Sequence, residues 1–143
     1  MKIQIITVGK PQLSFAQQGI EEYTKRLSRF ADIQVHHVKE NKDTDQKILK
    51  LIANDVCVLL DETGKEYSTE TLSQFLEQKK NHSLNLSFVI GGPDGHSQDI
   101  RNRADLCWAL SVLTFPHDIA TMLTLEALYR ALSVLEGHPY HRA

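Results

Sequence analysis

The strongest constraint on the fold is an alternation of short apolar runs with segments of helical period, repeated along the whole chain. Runs rich in branched apolar residues predict strands over 2–8, 33–38, 56–60, 84–90 and 106–113. Apolar residues at helical spacing predict helices over 14–30, 45–53, 97–104 and 119–136, and a further helix opening at the weak capping signal of Ser68. Strands that alternate with helices pair in parallel and are covered on both faces, so the sequence predicts an α/β domain with a mostly parallel sheet.

Composition indicates one globular domain. The 143 residues contain no repeat, linker or low-complexity stretch, so a single domain is expected over 1–143. No apolar run approaches the roughly 20 residues that span a bilayer, and the first residues resemble a strand rather than a signal peptide. A cytoplasmic protein without membrane contact is therefore expected. The net charge of −2 argues against broad binding to nucleic acid but leaves room for a local basic patch that fits one structured RNA.

The two cysteines lie in apolar runs. Cys57 is flanked by Val56 and Val58, and Cys107 by Leu106 and Trp108. Cysteine behaves as a small hydrophobic residue in protein cores, so buried free thiols are expected at both positions.

Three loops are the first candidates for a binding site. In parallel α/β sheets ligands lie beyond the carboxyl ends of the strands, which selects the loops after Leu60, Ile90 and Leu113. The second of these loops opens with Gly91 to Gly95, where glycines permit positive φ and a close approach to a ligand. It matches neither the dinucleotide-binding nor the P-loop pattern, so a structural turn and a ligand-facing loop both remain open.

The loop from Ser111 to His117 leaves a predicted strand and enters the last helix. Pro116 suits the first helical turn, where a backbone N–H is not needed. Its neighbours can present backbone amides and carbonyls to the edge of an adenine, but a plain connector has the same sequence. The two interpretations are equal at this stage.

The last predicted helix is apolar around about 200° of its circumference, whereas a helix with one buried face needs only about 100°. Burial on two sides is therefore expected, inside the domain or at a subunit interface. The residues of this arc are Leu123, Leu125, Ala127, Leu128, Ala131, Leu132, Val134 and Leu135. Glu126 and Arg130 share the polar stripe four residues apart, which fits a surface ion pair or an arginine that faces a site.

The chain ends in a polar and aromatic tail, residues 138–142, with two histidines, a tyrosine and an arginine. A zinc site is disfavoured, because the histidines lack cysteine or carboxylate companions. Tyrosine can stack on bases and arginine can bind phosphate, so an RNA-contacting arm and a solvated tail both remain open.

Four ordered motifs in the chain resemble those of the large-subunit ribosomal RNA pseudouridine N3-methyltransferases, of the SPOUT or α/β-knot superfamily. These motifs lie at 89–95, 113–117, 126–131 and 138–142, and residues 5–10 and 60–65 extend the resemblance. The resemblance implies a trefoil knot near the carboxyl end. It also implies a homodimer with two S-adenosylmethionine sites beside the subunit interface.

The resemblance further implies roles for individual residues. Arg130, Tyr140 and Arg142 would contact the substrate, and the tail would reach the partner's site. The implied reaction is methyl transfer to N3 of a pseudouridine in helix 69 of 23S rRNA, on the assembled ribosome and without a metal. The implied cofactor-binding residues are Leu60, Gly92, Ser111, Val112, Leu113, Thr114, Phe115 and Pro116.

The reaction requires a base, because N3 of a neutral uracil ring carries a proton. Imidazole titrates in the right range, which makes His117 and His141 the candidates and leaves the choice between them open. Thr121 stands where the family commonly has an arginine, so that contact is missing unless Arg130 or Arg142 supplies it. The terminal Ala143 also departs from close relatives, which can carry an acidic residue there.

Two other functions are compatible with the same pattern of strands and helices. A knotted methyltransferase that acts on tRNA would share the fold. A flavodoxin-like binding module would share the layers and would not bind S-adenosylmethionine.

Overall fold

The computed structural model describes residues 1–142, so the departure at Ala143 lies outside the described residues. Over that range five strands alternate with five helices, and the predicted α/β class is confirmed. The strands are β1 (Lys2–Val8), β2 (Asp32–Val38), β3 (Val56–Glu66), β4 (Leu86–Ile90) and β5 (Leu106–Ala109). The helices are α1 (Ser14–Leu27), α2 (Thr44–Ile52), α3 (Thr69–Asn81), α4 (Gln98–Arg103) and α5 (His117–Leu135).

The strand order is β2-β1-β4-β3-β5, with every pairing parallel. The register brings Ile6 of β1 beside Val89 of β4, and Leu59 of β3 beside the same Val89. Because β4, β3 and β5 are neighbours, the loops after these strands emerge at one edge of the sheet. The order therefore brings the three candidate loops together.

Two apolar cores cover the sheet. The period of two along β1 sends Ile3 and Ile5 into the core with α1, α3 and α5, and sends Ile6 into the core with α2 and α4. All three side chains are fully buried. Burial on both faces explains the continuous apolar run from Val56 to Leu60 in β3.

The last strand is much shorter than predicted. β5 ends at Ala109, and the predicted continuation to residue 113 is wrong. The apolar side chains of Val112 and Leu113 are 73% and 65% exposed, and the Ser111 hydroxyl accepts a hydrogen bond from the Leu113 N–H at 3.1 Å. A serine side chain that bonds the backbone two residues on favours a turn over a strand.

The third strand is longer than predicted. β3 does not close at residues 61–64 but continues to Glu66, since Leu60 and Lys65 both pair with Trp108. The four residues between them form a bulge, defined here as Asp61 to Gly64. Bulges of this kind bend a strand and redirect its side chains.

The remaining boundaries differ from the prediction by at most three residues, most clearly at α1, which ends at Leu27 rather than at residue 30. Phe30 there closes a tight turn, with its N–H bonded to the Leu27 carbonyl at 2.8 Å. The capping signal at α3 is confirmed, because the Ser68 hydroxyl accepts from the Thr71 N–H at 3.1 Å. Both cysteines are free thiols, Cys57 fully buried and Cys107 only partly.

The apolar arc of α5 is only partly covered by its own chain. Leu125, Leu128, Ala131 and Leu132 are buried in the first core. Other members of the arc stay partly or wholly exposed, namely Leu123, Ala127, Val134 and Leu135.

Candidate functional site

The loops after β3, β4 and β5 enclose a cleft of about 690 Å³ at the carboxyl edge of the sheet. Clefts of this size hold drug-sized or cofactor-sized molecules. Its wall is formed by the bulge, by the glycine turn after β4, by the loop before α5 and by the first turn of α5. Its lining residues include Leu60, Asp61, Glu62, Gly91, Gly92, His96, Arg101, Ser111, Leu113, Thr114, Phe115, Pro116 and His117.

Seven of the eight residues predicted to bind the cofactor line this cleft. The exception is Val112, whose side chain is 73% exposed and does not contribute to the lining. The candidate base His117 also lines the cleft. The cleft therefore collects residues from three separate segments of the chain.

The glycine turn, Gly91 to Gly95, has a backbone geometry that favours glycine, and it also forms part of the cleft wall. Gly95 has φ of 73° and donates its N–H to the Gly92 carbonyl at 3.0 Å. A Cβ on Gly91 would lie 3.0 Å from the backbone carbonyl of Gly95, too close for an ordinary side chain. The turn is thus structural, and it also presents Gly91 and Gly92 to the cleft.

His96 fastens this turn to the end of β3. Its Nε2 lies 2.8 Å from the Leu60 carbonyl oxygen, which only accepts, so Nε2 carries the hydrogen. Burial lowers the pKa of His96, which keeps the ring neutral. Sequence reasoning missed this residue, although its place directly after the glycine turn was a usable signal.

Asp61 and Arg101 form an ion pair in the wall of the cleft, with 2.7 Å between Oδ2 and the guanidinium. Burial alone would raise the pKa of Asp61, but hydrogen bonds from Thr63 and Arg101 hold it below its ordinary value. Sequence reasoning missed Arg101 as well, because it lies on α4 and approaches Asp61 only in the folded chain.

Glu62 bridges the cleft to the loop before α5. Its Oε2 accepts a hydrogen bond from the Thr114 hydroxyl at 2.5 Å. Thr114 belongs to the segment predicted to bind the cofactor. The bulge of β3 and this loop are therefore joined by a side-chain hydrogen bond.

The loop before α5 offers free backbone donors. Among residues 1–142, the N–H groups of Val112, Thr114 and Phe115 have no hydrogen-bond partner. Because unpaired backbone groups need water or a ligand, this loop can bind the polar edge of a planar ring. That arrangement fits the edge of an adenine, which the sequence pattern allowed as a possible ligand of this loop.

The first turn of α5 is tied to the loop after β1 through Asp118. This carboxylate is 3% exposed and accepts from the backbone N–H of Gln12 at 2.6 Å and of Leu13 at 2.8 Å. Its other oxygen lies 3.0 Å from Nε2 of His117. Thr121 is buried beside it and donates to the His117 carbonyl at 2.7 Å, so the position of the family's arginine lies inside the protein here.

The tail residues form a second polar cluster, on α1 and α5. Arg130 donates to Glu126 Oε1 through Nε at 2.9 Å and through its terminal nitrogen at 2.6 Å. The Tyr140 hydroxyl donates to the same oxygen at 3.1 Å. Burial, together with the hydrogen bonds of this hydroxyl, raises the pKa of Tyr140. Nδ1 of His141 lies 3.2 Å from Arg130, so the ion pair predicted on α5 is present and supports the tail.

The tail cluster and the cleft lie far apart within one chain. Arg130 follows His117 by thirteen residues along α5, which corresponds to about 20 Å at 1.5 Å per residue. Arg130, Tyr140, His141 and Arg142 do not line the cleft. The structure therefore does not bring the two candidate bases together in one chain.

The described residues hold neither a membrane span nor a metal cluster. Over residues 1–142 no helix is long and apolar enough to cross a bilayer. Within the same range no three His, Cys, Asp or Glu side chains are grouped to bind a metal ion.

A parallel α/β sheet with a cofactor-sized cleft beside the carboxyl ends of three adjacent strands defines the class of this protein. A family model described as "Predicted SPOUT methyltransferase" matches residues 1–141. The chain therefore belongs to the SPOUT methyltransferase family. The methyl donor of this family is S-adenosylmethionine.

The chain is also similar to individual proteins over its full length. It is 44% identical to "Ribosomal RNA large subunit methyltransferase H" of Deinococcus radiodurans, covering 99% of both chains. It is 41% identical to the protein of the same name from Deinococcus deserti, covering 99% of this chain and 100% of that one. Among solved structures it resembles the SpoU methyltransferase AviRb from Streptomyces viridochromogenes in complex with AdoMet. That likeness has a TM-score of 0.50 at 11% identity, covers 96% of this chain and 61% of AviRb, and concerns the fold.

Proposed function

We propose that this protein methylates N3 of a pseudouridine in helix 69 of 23S rRNA on the assembled ribosome, with S-adenosylmethionine as donor. The observation that carries the proposal is full-length identity of 41–44% to proteins named as ribosomal RNA large subunit methyltransferases. The cleft supports it, since seven residues of the predicted cofactor set line one cavity. Ribosomes lie in the cytoplasm, where the protein is expected to act.

The residues of the cleft fit the cofactor. The free N–H groups of Thr114 and Phe115 would bind its adenosine, and Gly91 and Gly92, which line the cleft without side chains, would let the ligand approach the backbone closely. When bound, S-adenosylmethionine supplies a methyl group on a positively charged sulfonium. The chain's own tasks are to bind and orient both reactants and to exclude water.

A base has to remove the N3 proton as the methyl group arrives. His117 lines the cleft and is the candidate supplied by the same chain, with its Nε2 3.0 Å from Oδ1 of Asp118 but without a hydrogen bond between them. His141 lies in the tail cluster beside Arg130, about 20 Å away along α5.

In a homodimer, the tail cluster of one protomer would lie beside the cleft of its partner. Arg130, Tyr140, His141 and Arg142 lie too far from their own cleft to contact a base bound there, so they would serve the cleft of a second copy. Leu123 and Ala127 of α5, which are partly exposed, and Val134, which is exposed, would supply apolar surface for that interface. The trefoil knot implied by membership of this superfamily is part of the same proposal.

The first experiment identifies the substrate. Purified protein and labelled S-adenosylmethionine are incubated with whole ribosomes, free 23S rRNA and tRNA, and the methylated nucleotide is mapped by mass spectrometry. Label at a helix 69 pseudouridine of whole ribosomes supports the proposal. Labelled tRNA with unlabelled ribosomes would replace it with the tRNA alternative, and no cofactor binding would favour the flavodoxin-like module.

A second experiment tests the shared site. One variant carries Gly91→Trp, which disrupts the glycine turn in the wall of the cleft because a Cβ there would lie 3.0 Å from the Gly95 carbonyl, and the other lacks residues 137–143. Each alone should be inactive, whereas refolding them together should restore about one quarter of the wild-type activity, because half the dimers then contain one intact composite site. If the mixture stays inactive, the tail does not act on the partner's cleft.

A further inference from the structure

The cleft carries one negative charge that no neighbouring cation balances. Apart from histidines, the charged side chains that line the cleft are Asp61, Glu62 and Arg101. Asp61 and Arg101 neutralise each other at 2.7 Å. Within residues 1–142, Glu62 has no lysine, arginine or histidine within 4 Å, and its hydrogen-bond partner is the neutral hydroxyl of Thr114.

The backbone holds Glu62 at this place. Residues 61–64 do not pair with β5, and β3 then pairs again with Trp108 through Lys65. The return is tight at Gly64, where a Cβ would lie 2.7 Å from the backbone carbonyl of Cys107. The 2.5 Å hydrogen bond to Thr114 then fixes the carboxylate against the cofactor loop.

A single charge in the cleft matters because the donor and its product differ by one charge. Methyl transfer breaks the bond between sulfur and the methyl carbon, whose electron pair stays on sulfur, and forms a bond between that carbon and N3. The N3 proton passes to the base, and the positively charged sulfonium becomes the neutral thioether of S-adenosylhomocysteine. The rest of the molecule is unchanged.

We propose that Glu62 makes the cleft discriminate between S-adenosylmethionine and S-adenosylhomocysteine, favouring the sulfonium form and the release of the thioether product. The inference rests on the proposed function, since it assumes that the cofactor occupies this cleft. Its physical basis is charge complementarity between a net negative cleft and a ligand that loses its sulfonium charge in the reaction.

The other role open to Glu62 is to organise the loop through Thr114. Glu62→Gln separates the two roles, because glutamine keeps a carbonyl oxygen that can accept from the Thr114 hydroxyl while it removes the charge. A loop-organising residue would change the affinities for both ligands in the same proportion. A charge-selecting residue would weaken the binding of S-adenosylmethionine and leave that of the product unchanged.

The test is calorimetric titration of both ligands into the full-length protein at pH 8, above the ordinary titration range of imidazole. Because Glu62 is solvent-exposed, its Glu62→Gln variant should lower the ratio of the two association constants by about two- to fivefold. Glu66→Gln is the matched control, an exposed glutamate of the same strand outside the cleft, and should leave the ratio unchanged. Raising the salt concentration should lower the ratio for the unmodified protein and hardly affect Glu62→Gln.

An unchanged ratio in Glu62→Gln would overturn the inference and leave the proposed function intact. Where that unchanged ratio comes from an equal loss of affinity for both ligands, Glu62 has the organising role. Failure of the unmodified protein to bind either ligand would overturn the proposed function, and this inference with it.

Discussion

The hydroxyl of Tyr140 lies 3.1 Å from the hydroxyl of Tyr23, so the carboxyl-terminal tail rests on the first helix. The Tyr140 ring also packs edge-on against Tyr129, with 4.6 Å between the ring centroids. Chain ends usually fray unless something holds them. Here the protein's own helices hold the tail before any substrate is bound.

Removing one hydroxyl should loosen this tail. Tyr140→Phe keeps the ring but loses the hydrogen bonds to Tyr23 and Glu126, and should lower the free energy of unfolding by about 1 kcal/mol in urea titrations. Tyr67→Phe is the control, because the Tyr67 hydroxyl has no hydrogen bond within the described chain. Equal stability of the two variants would mean that the tail contacts do not persist in solution.

Asp118 should be important for stability as well as for the cleft. Asp118→Ala leaves the N–H groups of Gln12 and Leu13 without their acceptor, and should lower the free energy of unfolding by about 2–3 kcal/mol. Asp118→Asn retains an acceptor oxygen and should cost less. Asp99→Ala, at an exposed position in the first turn of α4, is the control. Equal losses for Asp118→Ala and Asp99→Ala in urea would contradict the assignment.

His96 should hold the glycine turn in the shape that binds the cofactor. His96→Ala removes the bond to the Leu60 carbonyl and should weaken S-adenosylmethionine binding about tenfold by calorimetry, as expected for roughly 1.4 kcal/mol. His82→Ala, at an exposed imidazole directly after α3 and outside the cleft, should not change this affinity. Unchanged binding by His96→Ala would mean that the glycine turn keeps its shape without the hydrogen bond from His96 to Leu60.

Cys57 should make the protein less stable in alkaline solution. Burial raises the pKa of this thiol from 9.0 to about 11, so the unfolded chain ionises first and gains stability relative to the native state. The stabilisation is complete below pH 9.0, and the free energy of unfolding should fall by up to about 1.4 kcal/mol for each pH unit between pH 9.0 and about 11. Because lysines and tyrosines titrate there too, the measurement is the difference in slope between the wild-type protein and Cys57→Ala. Parallel curves of the free energy of unfolding against pH for these two proteins would contradict the prediction.

The sequence predicted the elements well where their cause is local. Apolar runs identified every strand, apolar residues at helical spacing identified four of the five helices, and the serine at 68 correctly marked the start of α3. The errors fall where a long-range contact decides. β3 continues to Glu66 because it pairs with β5, and β5 stops at Ala109 because the Ser111 hydroxyl turns the chain.

The same distinction between local and long-range causes separates the parts of the candidate site that were predicted from those that were missed. Parallel strands direct ligands to the loops that follow them, so the sequence selected three loops before their neighbours were known. It missed His96, Arg101 and Asp118, since each acts through a contact with a distant segment. It also could not show that the tail cluster and the cleft lie about 20 Å apart along α5.

The sequence by itself determined the α/β class, the positions of the loops and the motifs of the family, because hydrophobic period and motif spacing are properties of neighbouring residues. The tertiary structure alone decided the strand order, the bulge that brings Glu62 to Thr114, and the separation of the tail from the cleft. Those features depend on which distant segments pack together, and the energies of such packing cannot be derived from a pattern of neighbouring residues.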